Sequence, residues 1–208
     1  MVYNFTKKYQ FTTRLNIENK NLEQVDKCKL LGVIITSDLK WDENTRDLVK
    51  RANARMEILR KLSSFNPPLS DMVTVYTLYV RSILEQSCVL WHSTLTEENK
   101  TDLERVQKNA LRNILKDRYT SYLEALKMLK LETLYERREK LLLNYGKKCT
   151  QLDQTKELFP LKEKDHFMQT RKSMKFEEVT AHTNRYYMST VPYIQRLLNK
   201  EAMKQDSF

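Results

Sequence analysis

Glycine is nearly missing from this chain: 208 residues contain two, together with four prolines. So few turn formers argue against many short strands joined by tight turns and favour long helices. Two glycines also cannot build a phosphate-cradling G-x-x-x-x-G-K loop, and no G-x-S-x-G elbow occurs. Cysteine is sparse as well. Cys28, Cys88 and Cys149 are odd in number, widely spaced and include no C-x-x-C pair, so neither a disulfide framework nor a zinc site is supported, and they read as small buried thiols. No run approaches the roughly 18 to 20 apolar residues needed to span a bilayer. The start of the chain has neither a secretory apolar core nor an Arg/Ser-rich, acid-poor transit pattern. The expectation is an intracellular protein, nuclear or cytoplasmic, with no membrane partner.

What is present is positive charge. Lys and Arg number 37 against 27 Asp and Glu, a formal net charge of +10, and the sequence pI is near 9.4. Such an excess attracts polyanions, nucleic acid first. A 40% hydrophobic content with seven Phe and eleven Tyr supplies one or two cores.

Phe11 to Ile17 alternates apolar and polar residues, Glu18-Asn19-Lys20-Asn21 reads as a turn, and Val25 to Thr36 ends in a β-branched run around Gly32, which together predict a terminal hairpin. Leu48, Ala52, Met56, Leu59 and Leu62 then recur at helical steps, with Asp42 placed to cap the start and Phe65-Asn66-Pro67-Pro68 ending the run. Ser70 and Asp71 open a second helix whose face carries Met72, Val75, Tyr76, Tyr79, Val80, Ile83 and Leu84; it is expected to be the most buried. A third helix follows Thr96, with Leu103, Val106, Ala110, Leu111 and Ile114 on its stripe. Ser121-x-x-Glu124 and Thr133-x-x-Glu136 fit the capping box and mark a short helix and a longer one. Beyond Cys149 the pattern weakens: 162–175 is charged and aperiodic, and Val191 to Leu198 recovers an apolar cluster.

Several blocks occur in a telling order: Lys29-Leu30-Leu31-Gly32-Val33-Ile34-Ile35, the long helix after Trp41, Leu78-Tyr79-Val80-Arg81-Ser82-Ile83-Leu84-Glu85, Val89-Leu90-Trp91, Leu103-Glu104-Arg105-Val106-Gln107-Lys108-Asn109-Ala110-Leu111-Arg112, and Leu131-Glu132-Thr133-Leu134-Tyr135-Glu136-Arg137-Arg138. Together they resemble the C-terminal part of the reverse transcriptases of non-LTR, LINE-type retrotransposons of the jockey-like group. The resemblance covers residues 11 to 150, and Arg185-Tyr186 with Val191-Pro192-Tyr193 resembles that family's ending. Leu30 departs from it, standing where the family usually shows an aromatic residue. The fold it implies is mainly α: an N-terminal β-hairpin, the remnant of a polymerase palm, over 1–38; a helical thumb-like bundle over 39–150; and a basic, partly flexible or disordered C-terminal extension over 151–208.

A thumb grips a primer-template duplex through its phosphates, and each Lys or Arg that neutralises a phosphate releases counterions and adds sequence-independent affinity. The candidates are Lys50, Arg51, Arg55, Arg60 and Lys61 on the first helix, away from its apolar stripe; Arg105, Lys108, Arg112 and Lys116 on the third; and Arg185 in the tail. The expected partner is RNA or an RNA-DNA hybrid, bound without sequence preference, together with the missing polymerase parts. Tyr119 and Tyr122 are expected to pack, whereas Tyr186 and Tyr187 are candidates for stacking on bases. Arg137 and Arg138 follow Glu132 and Glu136 at helical spacing, which predicts surface ion pairs.

Nucleotidyl transfer needs paired carboxylates holding two magnesium ions. The family carries them in an aromatic-Ala-Asp-Asp motif, and this chain contains no Asp-Asp pair. Asp26, Asp38 and Asp42 near the hairpin read as turn and cap residues. The chain is therefore expected not to be an enzyme as it stands, and to need no cofactor, magnesium entering only if it is joined to a palm. Two other readings remain: a decayed or domesticated element product acting as a protein-interaction module, and, from the similarity of Leu31 to Leu62 to it, the N-terminal module of AlkB-type alkylation-repair dioxygenases. The latter enzymes bind iron through a His-x-Asp and a second His, but His92, His166 and His182 are followed two residues on by Thr94, Met168 and Asn184.

Overall fold

The computed structural model describes residues 16–18, 20–21, 25–162 and 175–205. Of the strand expected over 11–17, residues 11–15 lie outside the described residues, as does the charged segment 163–174 with His166. Asn16–Ile17 (β1) and Lys20–Asn21 (β2) pair antiparallel, so Lys20 and Asn21, expected in the turn, form a strand, while Asn19 lies outside the described residues. The main hairpin differs from the expectation. Lys27–Leu30 (β3) and Val33–Thr36 (β4) pair with each other, Leu30 opposite Val33, so the run from Val25 to Thr36 is two strands and not one. Its two-residue turn is Leu31-Gly32, at φ 48° and 83°. Positive φ at both central positions matches the right-handed twist of the flanking strands. The positive φ is what favours glycine at Gly32; a Cβ there would also meet Gln86 Nε2 at 2.5 Å, the end of a flexible side chain that can move aside.

Helix α1 spans Asp42–Ser63 and α5 spans Glu97–Leu115. These two pack along their lengths in the same direction. At their starts Asn99 Nδ2 donates to Asp42 Oδ1 at 2.7 Å, and at their ends Ser63 Oγ donates to the Asn113 carbonyl at 3.2 Å. Asp42 is therefore not the cap of α1. The N-cap position is Trp41, and the Asp42 carboxylate is the acceptor that sets the register with α5. Asn44 Oδ1 accepts from the Ile34 amide at 3.1 Å, which fastens the hairpin to α1.

The expected second helix runs as α2 (Leu69–Val75), a π turn (Tyr76–Arg81) and α3 (Ser82–Leu84), broken by Ser87 at φ 51° before α4 (Cys88–Trp91). Met72, Tyr76, Val80, Leu84 and Cys88 are all buried at four-residue steps, a recurrence that the regular helix α5 also shows from Asn99 to Leu115, so it does not by itself account for the wide turn. Tyr79, expected on the buried face, is rotated out to 48% exposure.

A 3₁₀ turn at His92–Thr94 leads to α5, whose start Thr96 caps by accepting from the Asn99 amide. Helix α6 is Tyr122–Leu129 and α7 is Leu134–Cys149. Thr133 and Glu136 form the complete capping box. At α6 only half forms: Ser121 accepts from the Glu124 amide, while the Glu124 carboxylate accepts from Thr120 Oγ1. After a short α8 (Asn184–Tyr187), α9 (Thr190–Gln205) docks on α7, and Phe159, Phe176, Ile194 and Leu198 join the same apolar cluster as the helices before them. Asn199 holds the Phe176 backbone at both ends, accepting from its amide at 2.9 Å and donating to its carbonyl at 3.1 Å.

Gly146 makes the α7–α9 contact possible. A Cβ at this buried position would lie 2.4 Å from Cγ2 of Ile194, a β-branched side chain with little freedom to retreat. Gly146→Ala gains about 1 kcal/mol of helix propensity and meets an overpacking cost of about 1–3 kcal/mol. The expected outcome is a lower Tm by thermal melting, with Ile194→Ala in the same chain restoring part of the loss. A Tm at or above that of the unaltered chain refutes the close approach.

Candidate nucleic-acid interface

The parallel arrangement of α1 and α5 places the carbonyl ends of both helices at one end of the bundle. Each carries cations in its last turn, Arg60 and Lys61 on α1 and Arg112 on α5, followed by Lys116 and Arg118. Cations there complement the negative end of the helix dipole. Lys116 does so across the pair: Nζ donates to the Ser63 carbonyl at 2.6 Å and to Asn66 Oδ1 at 2.7 Å. Its backbone sits at φ 50°, an unusual position for a lysine, where α5 ends. Between the helix ends lies a cleft of about 540 Å³, lined among others by Ser63, Pro68, Met72, Ile114, Lys116 and Arg118.

Four of the ten sequence-derived candidates, Arg60, Lys61, Arg112 and Lys116, thus meet at this end. On α5 the spacing of Arg105, Lys108, Arg112 and Lys116 forms one stripe about 16 Å long opposite the buried face. Arg105 is paired with Asp102 at 2.9 Å, Lys108 lies 5.1 Å from the Tyr122 ring centroid, and Arg112 lies 5.3 Å from that of Tyr119. On α1, Arg60 pairs with Glu57 at 3.2 Å, while Lys50, Arg55 and Lys61 are exposed and meet no partner among the described residues.

Two candidates are engaged elsewhere. Arg51 does not lie on the free side of α1: Nε donates to Asp47 Oδ2 and Nη1 to Gln86 Oε1, both at 2.8 Å, tying α1 to the end of α3. Arg185 donates to the Asp38 carbonyl and so sits where α1 begins, away from the basic end. Its neighbours Tyr186 and Tyr187 are about half exposed, and Arg196 stacks on Tyr187 at 3.6 Å from the ring centroid.

The ion pairs expected for Arg137 and Arg138 with Glu132 and Glu136 do not form. Arg137 Nε donates to Glu85 Oε1 at 3.2 Å, and Glu85 also faces Arg81 at 3.4 Å. Arg138 is fully buried: Nε donates to Nδ1 of His92 at 3.2 Å, its guanidinium lies 5.6 Å from the Trp91 ring centroid, and neither Nη has a partner. Glu132 lies five and six residues from the two arginines and Glu136 one and two, not the three or four that share a helix face, and the pocket that takes Arg138 is built by Trp91 and His92, more than 40 positions earlier.

No family model matches the chain, and no curated protein or solved structure resembles it.

The remaining sequence candidates have ordinary surroundings. Asp38 accepts from Thr36 Oγ1 at 2.7 Å and from the Lys40 amide at 3.1 Å, bonds that hold its carboxyl below the usual range. Cys88 and Cys149 are buried, Cys28 half-buried, and burial pushes the Cys88 thiol up to about 11. Tyr122 packs and donates to Glu104, burial raising its phenol well above the ordinary range. Among the described residues no three His, Cys, Asp or Glu side chains converge as a metal site, and no helix is long and apolar enough to cross a membrane.

His92 has a measurable consequence. Burial, then the charges of Arg138 and Lys100, lower its pKa from 6.5 to about 3. The folded imidazole stays neutral where the unfolded one binds a proton, so this contribution is fully present above pH 6.5 and is lost as pH falls toward 3. The expected slope is about 1.4 kcal/mol of stability per pH unit in that window. Denaturant melts between pH 6.5 and 5, above most carboxylate titration, should show it, and His92→Gln should flatten it. An unchanged slope in that variant refutes the assignment.

Proposed function

We propose that this chain binds nucleic acid through its phosphates, without sequence preference, and that it is the thumb and C-terminal extension of a reverse transcriptase of the non-LTR retrotransposon type. The observation that carries the binding reading is the parallel α1–α5 pair, which gathers Arg60, Lys61, Arg112 and Lys116 at one end and leaves Lys61 unpaired. The net charge of +10 supplies the long-range attraction. The origin rests on the ordered sequence blocks alone. Having no Asp pair to hold magnesium, the chain grips a primer-template or RNA and performs no polymerisation by itself.

The rival is a protein-interaction module. Its support is exposed apolar surface: Leu31 at 91%, Phe65 at 80%, Leu123 at 68% and Leu78 at 64%. Salt titration of binding to an RNA-DNA hybrid separates the two. Phosphate binding gives a linear fall of log affinity with log salt. Lys50→Ala, Arg55→Ala, Lys61→Ala and Arg112→Ala each remove about 0.9 from that slope where they contact a phosphate. Absence of binding at low salt eliminates this reading and leaves the rival.

A further inference from the structure

Beside the α5 cation stripe, a groove of about 520 Å³ opens toward α6 and α7, lined by Lys100, Glu104, Lys108, Tyr122, Thr133 and Tyr135, with Glu97 and Thr101 at its edge. Its size falls in the range of small-molecule sites. Its charges balance, two lysines against two glutamates, so a phosphate gains little there, while a flat, neutral, polar-edged group is well served.

Tyr135 is the surface such a group would meet. It is 36% exposed, and its ring is already fixed: the hydroxyl donates to Glu139 Oε1 at 3.2 Å and lies 3.3 Å from the Tyr193 hydroxyl. The buried His92 ring stands behind it at 5.0 Å, and Lys100 Nζ lies 5.5 Å from its centroid. A platform held before its ligand arrives loses little freedom on binding. Lys100 with Tyr135, Lys108 with Tyr122 and Arg112 with Tyr119 make a row of cation-and-ring pairs along α5, the composition of single-strand binding surfaces. Glu104 adds chemistry. Its Oε1 takes the Tyr122 hydroxyl and the Leu134 amide, while Oε2 makes no hydrogen bond among the described residues and is placed to accept from an amino group.

We propose that this groove docks one unpaired nucleobase of a single-stranded segment, stacked on Tyr135 with its exocyclic amino group on Glu104, while the flanking phosphates follow Arg105, Arg112 and Lys116. The proposal rests on the nucleic-acid reading above and adds the class of strand the site prefers. The test uses the full chain at low salt with a 12-nucleotide oligodeoxyadenylate carrying one 2-aminopurine, and an RNA-DNA hybrid of the same length. Binding should quench the 2-aminopurine. Tyr135→Ala should weaken the single strand by about fivefold or more and abolish the quench, with hybrid affinity held within about twofold, and Tyr135→Phe, which keeps the ring but loses the bonds that hold it, should keep the quench with a smaller loss than Tyr135→Ala. Single-strand binding without quenching by the unaltered chain overturns the proposal whatever the variants do. So does unchanged single-strand affinity, or an equal loss on both ligands, in Tyr135→Ala. If neither ligand binds, the phosphate-binding reading falls with it; if both bind and Tyr135 is irrelevant, only base docking falls.

Discussion

Two helices lying side by side in the same direction bring like ends of their dipoles together, and the termini of α1 and α5 answer to that constraint. Asp42 and Glu43 begin one, Glu97 and Glu98 the other, and the last turns carry Arg60, Lys61 and Arg112. Each charge offsets the partial charge of its own helix end and of the neighbour's. The Asn99–Asp42 bond fixes the register at the start, and Lys116 reaches across to the Ser63 carbonyl at the finish. A basic end is thus first a structural requirement of parallel packing. Beyond that requirement stand Lys50 and Arg55, exposed and unpaired among the described residues, a surplus available to a polyanion, with Lys61 at the helix end also unpaired.

The interior carries a second set of polar commitments. Tyr76 donates to Gln107 Oε1 at 2.5 Å; Gln107 Nε2 donates to the Tyr122 hydroxyl at 2.8 Å and to the Glu132 carbonyl at 2.9 Å; Tyr122 passes its proton bond to Glu104. This chain ties the π turn to α5, α6 and the α7 entry, and it is satisfied throughout. Arg138 is the contrast. Its guanidinium is buried against Trp91 with a single neutral acceptor; Glu85 and Glu104 attract its charge but make no hydrogen bond to it, Glu85 taking Arg137 and Glu104 Oε1 taking Tyr122 and the Leu134 amide. An unpaired buried charge costs on the order of several kcal/mol, so the helices that enclose it must be held firmly by their apolar contacts.

Local signals were legible in the chain wherever a residue acts on its own helix. Thr96, Ser121 and Thr133 cap where their hydroxyls and spacing say they should, and the stripe from Leu48 to Leu59 is buried as its period requires. The reading failed where the partner is distant. Asp42 looks like a cap and is a tie to residue 99; Arg51 looks free and is held by Gln86; Arg138 looks like a surface ion pair and lies in the core. The hairpin failed for another reason: Leu31-Gly32 lacks the Asn-Gly or Asp-Gly look of a tight turn, so a β-branched run hid a reversal. Nothing in the sequence marked the π turn: buried residues recur at four-residue steps from Met72 to Leu84, and they do so equally from Asn99 to Leu115 along the regular helix α5.

The docking of α9 sets a schedule for the chain's birth. Thr190 Oγ1 donates to the Val89 carbonyl 101 residues earlier, and Tyr193 covers the side of His92 beside Tyr135. A ribosome adding about 5–20 residues per second needs about 5 to 20 seconds to make that stretch. Throughout that interval the Trp91–His92 region lacks its final cover, and Gly146, once made, presents a notch with nothing in it until α9 follows. Helix α9 is therefore made after the polar interior that it closes, and a nascent chain stalled before residue 190 would display that interior to whatever binds nascent proteins.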